Sequence, residues 1–294
     1  MTTPVAHPNP VGASPSGSSV SAAAILQAAR PLVCGILNVT PDSFSDGGRF
    51  FDHDRAVAHG VALAGQGADL IDVGGESTRP GAQPPTVAED LDRVIPVIER
   101  LVRVTWVPVS IDTSRPEVMR AGVRAGASMI NDVRALRVPG ALDAAAELGV
   151  PVCLMHMQGD PATMQRSPHY GDVVAEVRSF LAERMSAAEA AGVSRNLMAV
   201  DPGFGFGKSL AHNVTLLGEL RQFATLGARL LVGVSRKGMI GAITGRPVEQ
   251  RLAGSISAAV LAAQRGAHVL RVHAVGATRD AMAVLGAVEQ PRKG

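Results

Sequence analysis

One pattern recurs along the chain from Pro31 onward: a short apolar run, a polar or glycine-rich loop, and an alanine-rich segment of helical length. We count eight such runs, at 32–39, 69–75, 109–113, 128–133, 152–157, 197–203, 229–235 and 268–275. Continuous apolar strands that alternate with helices are typical of a parallel sheet covered by helices. Eight strand–helix units in about 265 residues match a (β/α)₈ barrel. We therefore predict an α/β fold, a TIM barrel, in a single catalytic domain spanning 31–294.

A doubly wound open sheet is the alternative architecture, and it calls for a phosphate-binding loop after the first strand. No such loop follows 32–39. The segment DPGFGFGKS (201–209) does not supply one either, because a P-loop that ends at Lys208 and Ser209 needs Gly where Pro202 stands. The glycines would let the backbone approach a flat ligand closely, and we expect Lys208 to be a solvated charge.

Composition excludes several classes of protein. The chain has 28 Lys and Arg against 26 Asp and Glu, and this net charge of +2 is too small to indicate a nucleic-acid or membrane surface. Seven Phe, one Trp and one Tyr are too few for the stacking platforms of a single-strand binder. Two cysteines, Cys34 and Cys153, cannot form a disulfide framework or a four-cysteine zinc site. We expect no nucleic-acid partner and no membrane partner.

Residues 1–30 differ from the rest of the chain because they are rich in Pro, Ser, Gly and Ala and Arg30 is their only Lys or Arg. We predict a disordered or loosely ordered N-terminal extension, with a tail over roughly 1–20. A short helix and a hairpin both stay open for 20–30. The first ten residues lack the basic start of a secretory signal, and no run is long enough to span a membrane. A cytoplasmic location is the expectation.

Polar side chains end every predicted strand, and in a barrel these ends converge on one mouth, where active sites form. The residues are Asn38, Asp72, Asp112, Asn131, Asp132, His156, Asp201, Ser235, Lys237, Arg271 and His273. An acid after a strand is often only the N-cap of the next helix. That explanation does not cover Lys237, Arg271 and His273, so a functional mouth is the better interpretation.

The last strand carries two cationic side chains on one face. Arg271 and His273 are two residues apart and point the same way, whereas Leu270 and Val272 point the other way. Such a pair is suited to a phosphate or diphosphate. The alternative is a surface pair on a misassigned strand.

Two long polar loops follow the first two strands, at 38–48 and 74–82. Each is either a mobile lid over a ligand or a plain surface loop. Asp46 in the first loop and Arg79 in the second have complementary charges, which would let the loops meet.

Two carboxylates on separate strands, Asp112 and Asp201, accompany Asn131 and Lys237. Paired carboxylates suit general acid–base catalysis, and they equally suit recognition of a ligand rich in N–H donors. The set matches a 2-amino-4-oxo heterocycle better than a sugar or a peptide. For a metal, oxygen ligands such as Asn38 favour Mg²⁺ over Zn²⁺.

At these residues the chain resembles the dihydropteroate synthase family over residues 31–290. Eight motifs occur in the family's order: GILNVTPDSFSDGG, DVGGESTRPGA, SIDT, NDV, MHMQGDPATMQ, DPGFGFGK, VGVSRK and RVH. The resemblance implies a transferase of folate biosynthesis, the target of sulfonamide drugs. It would join (7,8-dihydropterin-6-yl)methyl diphosphate to 4-aminobenzoate with Mg²⁺ and release diphosphate and 7,8-dihydropteroate.

The resemblance also implies roles for individual residues. The pterin would be held by Asp112, Asn131, Asp201 and Lys237. The diphosphate and its magnesium would be held by Asn38 and the RVH motif, which comprises Arg271, Val272 and His273. Thr78 and Ser235 would lie at the substrate junction, while Phe44, Arg79 and Pro80 would enclose the aminobenzoate. The catalytic set would be Arg271, His273, Lys237 and Asp46, with Asp46 joining the magnesium shell and Asn38 as the metal ligand.

One position departs from the family pattern: Ala274 follows RVH where the family usually has Asp. We expect this side chain to face away from the site. The alternatives to a synthase are a pterin-binding methyltransferase on the same type of barrel and a catalytically silent paralogue. The diphosphate-suited pair and the loops argue against both. A homodimer is expected by family analogy.

Overall fold

Eight parallel strands close into a barrel in the part of the chain that the computed structural model describes, residues 22–40, 49–76, 84–160 and 163–289. They are β1 (Leu32–Asn38), β2 (Leu70–Gly74), β3 (Val109–Asp112), β4 (Met129–Asp132), β5 (Val152–Met155), β6 (Met198–Asp201), β7 (Arg229–Val232) and β8 (Val269–Val272). Each strand pairs with the next, and β8 pairs with β1. The prediction of a TIM barrel is confirmed.

One of the described helices precedes the first strand, and the others follow strands and form the outer layer. The helices are α1 (Ala22–Leu26), α2 (Arg49–Gly65), α3 (Val87–Val104), α4 (Pro116–Arg124), α5 (Ala141–Leu148), α6 (Val173–Ala190), α7 (Leu210–Gly218), α8 (Gly238–Thr244), α9 (Leu252–Gln264) and α10 (Val275–Glu289). Among the described residues, three short 3₁₀ segments lie at Arg195–Leu197, Leu220–Leu226 and Val248–Gln250. No described helix is both long enough and apolar enough to cross a bilayer.

Alternation along the strands separates the two sides of the barrel wall. Odd positions of β2, such as Ile71 and Val73, belong to the large core between the barrel and its helices. Even positions point into the barrel, where Leu70 joins a small apolar cluster and Asp72 lies next to Ser110 of β3. A one-residue shift in any strand would exchange these faces, so the register fixes which side chains reach the mouth.

The base of the barrel is closed by α1. Ala22 and Leu26 are buried there against inward-facing residues of the strands. These residues are Leu32, Cys34, Leu70, Met129, Cys153, Ala199, Leu231 and Val269. Of the two options that the sequence left open for 20–30, the structure has the helix. The predicted tail over 1–20 lies outside the described residues.

The strand bounds differ slightly from the apolar runs, and at β8 the difference changes one interpretation. The run 268–275 extends past Val272, where the strand ends, into the start of α10. The carbonyl of Ala274 accepts the N–H of Thr278, so Ala274 is the N-cap of that helix. The expectation that Ala274 lies in the strand is therefore wrong, although Ala274 is not among the described residues that line the cavity.

Candidate active site

A cavity of about 930 Å³ opens at the carboxyl ends of the strands. Its size is in the range of small-molecule sites. Eight of the predicted site residues line it: Asn38, Asp112, Asn131, Asp201, Ser235, Lys237, Arg271 and His273. Apolar walls are added by Ile36, Val133, Met155 and Phe204. The topology therefore brings the eight predicted residues from six strands or strand ends, and Met155 from a seventh strand, to one space.

Arg271 bridges two carboxylates at the floor of this cavity. Its Nε lies 2.6 Å from Asp72 Oδ2, and its Nη2 lies 2.7 Å from Asp112 Oδ2. The guanidinium has five N–H donors in a fixed fork, so the donors on its other edge can still reach an anion. A fork held by two carboxylates has a defined orientation before any ligand arrives.

Burial and charge set the pKa values at this floor. Burial raises the pKa of Asp112 to about 8, and the neighbouring carboxylate of Asp72 adds to the rise while Arg271 opposes it. Burial alone would lower the pKa of Arg271, but Asp72 and Asp112 outweigh it and the pKa is raised. Arg271 is thus a permanent cation, and burial disfavours the ionised form of Asp112 while the ion pair with Arg271 favours it.

A second charged pair lies across the cavity on β6 and the β7–α8 loop. Burial raises the pKa of Asp201, although the N–H of Gly203 donates to its Oδ1 at 2.7 Å. Burial lowers the pKa of Lys237 to about 8 against the attraction of Asp201. The Lys237 ammonium also lies 4.2 Å from the centre of the Phe206 ring, a cation–π distance. Strongly shifted pKa values in a cleft are characteristic of functional sites.

The RVH motif divides as the alternation predicts. Arg271 and His273 line the cavity, whereas Val272 is buried in the core between barrel and helices. His273 Nδ1 lies 3.0 Å from Ser235 Oγ, and Ser235 Oγ also accepts the His273 N–H. Ser235 therefore orients the imidazole at the rim.

Asn38 ends β1 at the cavity and offers one amide oxygen. No group of three or more His, Cys, Asp or Glu side chains that could hold a metal occurs among the described residues. This donor set fits Mg²⁺, because that ion is commonly held by one or two protein oxygens together with waters and the phosphates of a substrate.

Two strand-end residues that we expected at the mouth face the helices instead. His156, one position past β5, packs edge-on against Phe180 of α6, with ring centroids 4.9 Å apart. Asp132 is fully buried and accepts N–H groups of Arg134 and Leu136 as well as the Ser114 hydroxyl. Their inward neighbours, Asn131 and Met155, line the cavity, so alternation explains both errors.

Lys208 is buried, and the prediction of a solvated charge is wrong. Its ammonium lies 3.0 Å from the carbonyl oxygens of Gly203 and Phe206 and 2.8 Å from Nδ1 of His156. Three donors thus meet three acceptors. The turn closes tightly over them, because at Gly203, with φ of +70°, a Cβ would collide with the His156 carbonyl. Burial lowers the pKa of Lys208 to about 7.

Five predicted residues lie in the two polar loops and outside the described residues: Phe44, Asp46, Thr78, Arg79 and Pro80. Their roles stay predictions. Asp72, which the sequence analysis placed at the mouth without a role, is buried and does not line the cavity, and Phe206, which the sequence analysis did not single out, lies against Lys237. The sequence indicated the orientation of Asp72, since positions 70, 72 and 74 share the inward face of β2.

This geometry defines a TIM barrel with a polar small-molecule site at its mouth, and comparison with known proteins gives its class. The family model described as pterin binding enzyme matches residues 34–273. The dihydropteroate synthase of Escherichia coli strain K12 is 52% identical over 260 residues, which cover 88% of this chain and 92% of that protein. The chain therefore belongs to the pterin-binding enzyme family, and within it to the dihydropteroate synthases, transferases of folate synthesis.

Solved structures support the same assignment. Xanthomonas albilineans dihydropteroate synthase in complex with 7,8-dihydropteroate is 58% identical, with a TM-score of 0.82 over 90% of this chain and 95% of that one. The Yersinia pestis dihydropteroate synthase in a sulfonamide drug complex is 50% identical, with a TM-score of 0.84 over 88% of this chain and 94% of that one.

Proposed function

We propose that this chain condenses (7,8-dihydropterin-6-yl)methyl diphosphate with 4-aminobenzoate in the cavity at the barrel mouth. One observation carries the proposal: hydrogen-bonding groups suited to a pterin and cations suited to a diphosphate line a single cavity. The products are 7,8-dihydropteroate and diphosphate.

The pterin ring is recognised by Asp112, Asn131, Asp201 and Lys237. The ring's amino and ring N–H groups are donors, which the carboxylates and the Asn131 amide oxygen accept. The Lys237 ammonium donates to the ring carbonyl or to a ring nitrogen. Because the Phe206 ring lies against that ammonium, the lysine side chain is held in place at the edge of the pterin ring.

The departing diphosphate is stabilised by Arg271 and His273, with Asn38 as the protein ligand of Mg²⁺. The bond between the methylene carbon and the diphosphate oxygen breaks, and its electron pair leaves with the diphosphate. Preorganised cations at the place where negative charge develops lower the barrier to such a step. The metal, when bound, supplies Lewis-acid neutralisation of the leaving group.

The amine of 4-aminobenzoate then forms the new bond to the methylene carbon and loses one proton to solvent. An arylamine is neutral near pH 7, so the step needs no strong general base. We assign Thr78 and Ser235 to the substrate junction and Phe44, Arg79 and Pro80 to the aminobenzoate. Asp46 completes the metal shell, and the two polar loops keep water from the electron-deficient carbon.

Diphosphate release by the purified protein tests this proposal. The substrates are the pterin diphosphate and 4-aminobenzoate, with and without Mg²⁺ and with and without a sulfonamide. We expect release that needs both the arylamine and Mg²⁺ and that the sulfonamide suppresses. Pterin binding without any release would contradict the proposal and favour a silent paralogue.

We also propose a homodimer through α7, α8 and α9. Apolar side chains of these neighbouring helices are exposed: Leu210, Val214, Ile243 and Leu252, with Ile243 at 61%. Exposed apolar side chains on neighbouring helices are typical of an interface between subunits. Sedimentation of the wild type as a dimer and of Ile243→Asp as a monomer would support the assembly, and a monomeric wild type would contradict it.

A reducing compartment, the cytoplasm, is the proposed location. Cys34 and Cys153 are both free and buried. Thiols in this state suit a reducing environment.

A further inference from the structure

A carboxylate just beneath the cavity floor touches the substrate-facing residues without lining the cavity itself. Asp72 is 1% exposed and is not among the described residues that line the cavity. Its two oxygens accept three hydrogen bonds from side chains of three other strands. The donors are Ser110 at 2.6 Å, Asn131 Nδ2 at 2.9 Å and Arg271 Nε at 2.6 Å.

The first consequence concerns the amide of Asn131. An ionised carboxylate only accepts hydrogen bonds, so the amide must turn its NH₂ group toward Asp72. The amide oxygen of Asn131 is then directed away from Asp72. Because Asn131 lines the cavity, that oxygen is the group offered to a ligand, and it accepts from an N–H donor.

The second consequence concerns Arg271. Asp72 takes the Nε donor while Asp112 takes an Nη2 donor, so the plane of the guanidinium is fixed by two partners on different strands. Asp112 also faces the cavity and is a pterin ligand in the proposed function. Asp72 is therefore the partner of Arg271 that a bound pterin does not need to share.

We propose that Asp72 is the positioning residue that sets the recognition pattern of this site, for a heterocycle with N–H donors that carries an anionic group. It presents the oxygen of Asn131 to the ring and holds Arg271 toward the anion. This inference deepens the proposed function and rests on it.

Asp72→Asn tests the inference, because the amide has the same shape but lacks the charge. We expect KM for the pterin diphosphate to rise roughly 10- to 100-fold, on the scale found when outer hydrogen-bond partners at metal sites are removed. KM for 4-aminobenzoate should stay within about twofold, since Asp72 acts only on groups that face the pterin diphosphate. A variant that is folded and has wild-type KM for the pterin diphosphate would overturn the inference.

Ser110→Ala is the matched control. It removes one hydrogen bond from Asp72 Oδ1 and leaves the carboxylate, Asn131 and Arg271 in place. We expect KM for the pterin diphosphate within about threefold of the wild type. A rise in KM as large as that of Asp72→Asn would overturn the inference. It would show that any disturbance of the cavity floor weakens binding, whether or not the charge of Asp72 is removed.

The double variant Asp72→Asn with Asn131→Asp provides a rescue. It exchanges carboxylate and amide between two positions, so the hydrogen bond reforms with opposite polarity and an acceptor still faces the ligand. We expect KM for the pterin diphosphate to fall at least about threefold below that of Asp72→Asn. The exchange also keeps the test available if the single variant does not fold, because the double variant should then recover soluble protein and pterin binding. No recovery by either measure would contradict the inference.

Wild-type diphosphate release separates the two proposals. If the wild type releases no diphosphate, the proposed function fails. If it does release diphosphate and Asp72→Asn behaves as the wild type, only the role of Asp72 fails.

Discussion

The same strands form two different barrel ends, a closed apolar base and an open polar mouth. At the base, inward side chains such as Cys34, Leu70 and Val269 form an apolar cluster sealed by Leu26 of α1. About two residues further along the strands, the inward positions are charged or polar, as at Asp72 and Arg271. One periodic pattern therefore builds a core at one end and a ligand site at the other.

The difference shows where this fold gains stability and where it gives some up. Burial of apolar surface at the base contributes about 25 cal/mol per Å². At the mouth, burial raises the pKa of Asp112 and lowers the pKa of Lys237, each to about 8, so the charged form of each is disfavoured. Such shifted pKa values in a cleft are characteristic of functional sites. Substitutions at the two ends should accordingly affect different measurements.

Arg271→Lys, at the mouth, should reduce turnover more than the other substitutions. A lysine ammonium is a point charge and cannot bridge Asp72 and Asp112 as a planar fork does. We expect kcat/KM for diphosphate release to fall roughly 10²- to 10³-fold. Arg279→Lys is the matched control, because Arg279 forms an ion pair with Asp69 outside the cavity. It should leave kcat/KM unchanged, and equal losses in the two variants would contradict the role of Arg271.

Leu26→Ala, at the base, should reduce stability and leave turnover unchanged. Leu26 is 3% exposed beneath the strands, so truncation leaves a cavity in the seal. We expect the free energy of unfolding to fall by about 3 kcal/mol. Turnover per folded molecule should match the wild type, as measured by urea unfolding beside diphosphate release. A loss of turnover in fully folded protein would show that the two ends are not separable.

His156→Gln tests a third region, the layer between the barrel and its helices, where His156 packs against Phe180. Burial lowers the pKa of His156 to about 3, so between that value and the ordinary 6.5 the unfolded chain binds the extra proton. The stability that neutral His156 contributes is present above pH 6.5 and is lost as the pH falls toward 3, at about 1.4 kcal/mol per pH unit.

Glutamine keeps an acceptor for Lys208 and does not titrate. The test measures the free energy of unfolding between pH 6.5 and 4.5. As the pH falls, that of His156→Gln should decrease less steeply than that of the wild type, by about 1.4 kcal/mol per pH unit. Parallel curves would contradict the buried, neutral state of His156.

Ala274→Asp should have the smallest effect, a gain. Ala274 is the N-cap of α10 and has no side chain to accept the orphan N–H groups of the first turn. An aspartate there should raise the free energy of unfolding by about 1 kcal/mol. Diphosphate release should be unchanged, and a lower thermal midpoint would contradict the cap assignment.

The sequence predicts the barrel well, because eight mostly apolar runs alternate with segments of helical length and no phosphate-binding loop of an open sheet follows the first run. The first run, 32–39, corresponds to Leu32–Asn38 almost residue for residue. The mouth is predicted less completely. Asn131 and Asp132 are neighbours of similar polarity, and only the register of β4 shows that the first faces the cavity and the second the helices.

Lys208 illustrates a different gap. Its burial depends on a turn of three glycines with positive φ, at 203, 205 and 207, which folds backbone carbonyls over the ammonium. A lysine after a glycine-rich segment carries no local signal of burial, because its acceptors lie in the backbone and on His156 of another strand end.

A crystal structure of this protein with bound 7,8-dihydropteroate tests the central claim most directly. The account predicts the pterin ring within hydrogen-bond distance of Asp112, Asp201 and the amide oxygen of Asn131, with Asp72 still bound to the Asn131 NH₂ group. A pterin bound outside this cavity, or an Asn131 amide that turns its NH₂ group to the ring, would contradict it.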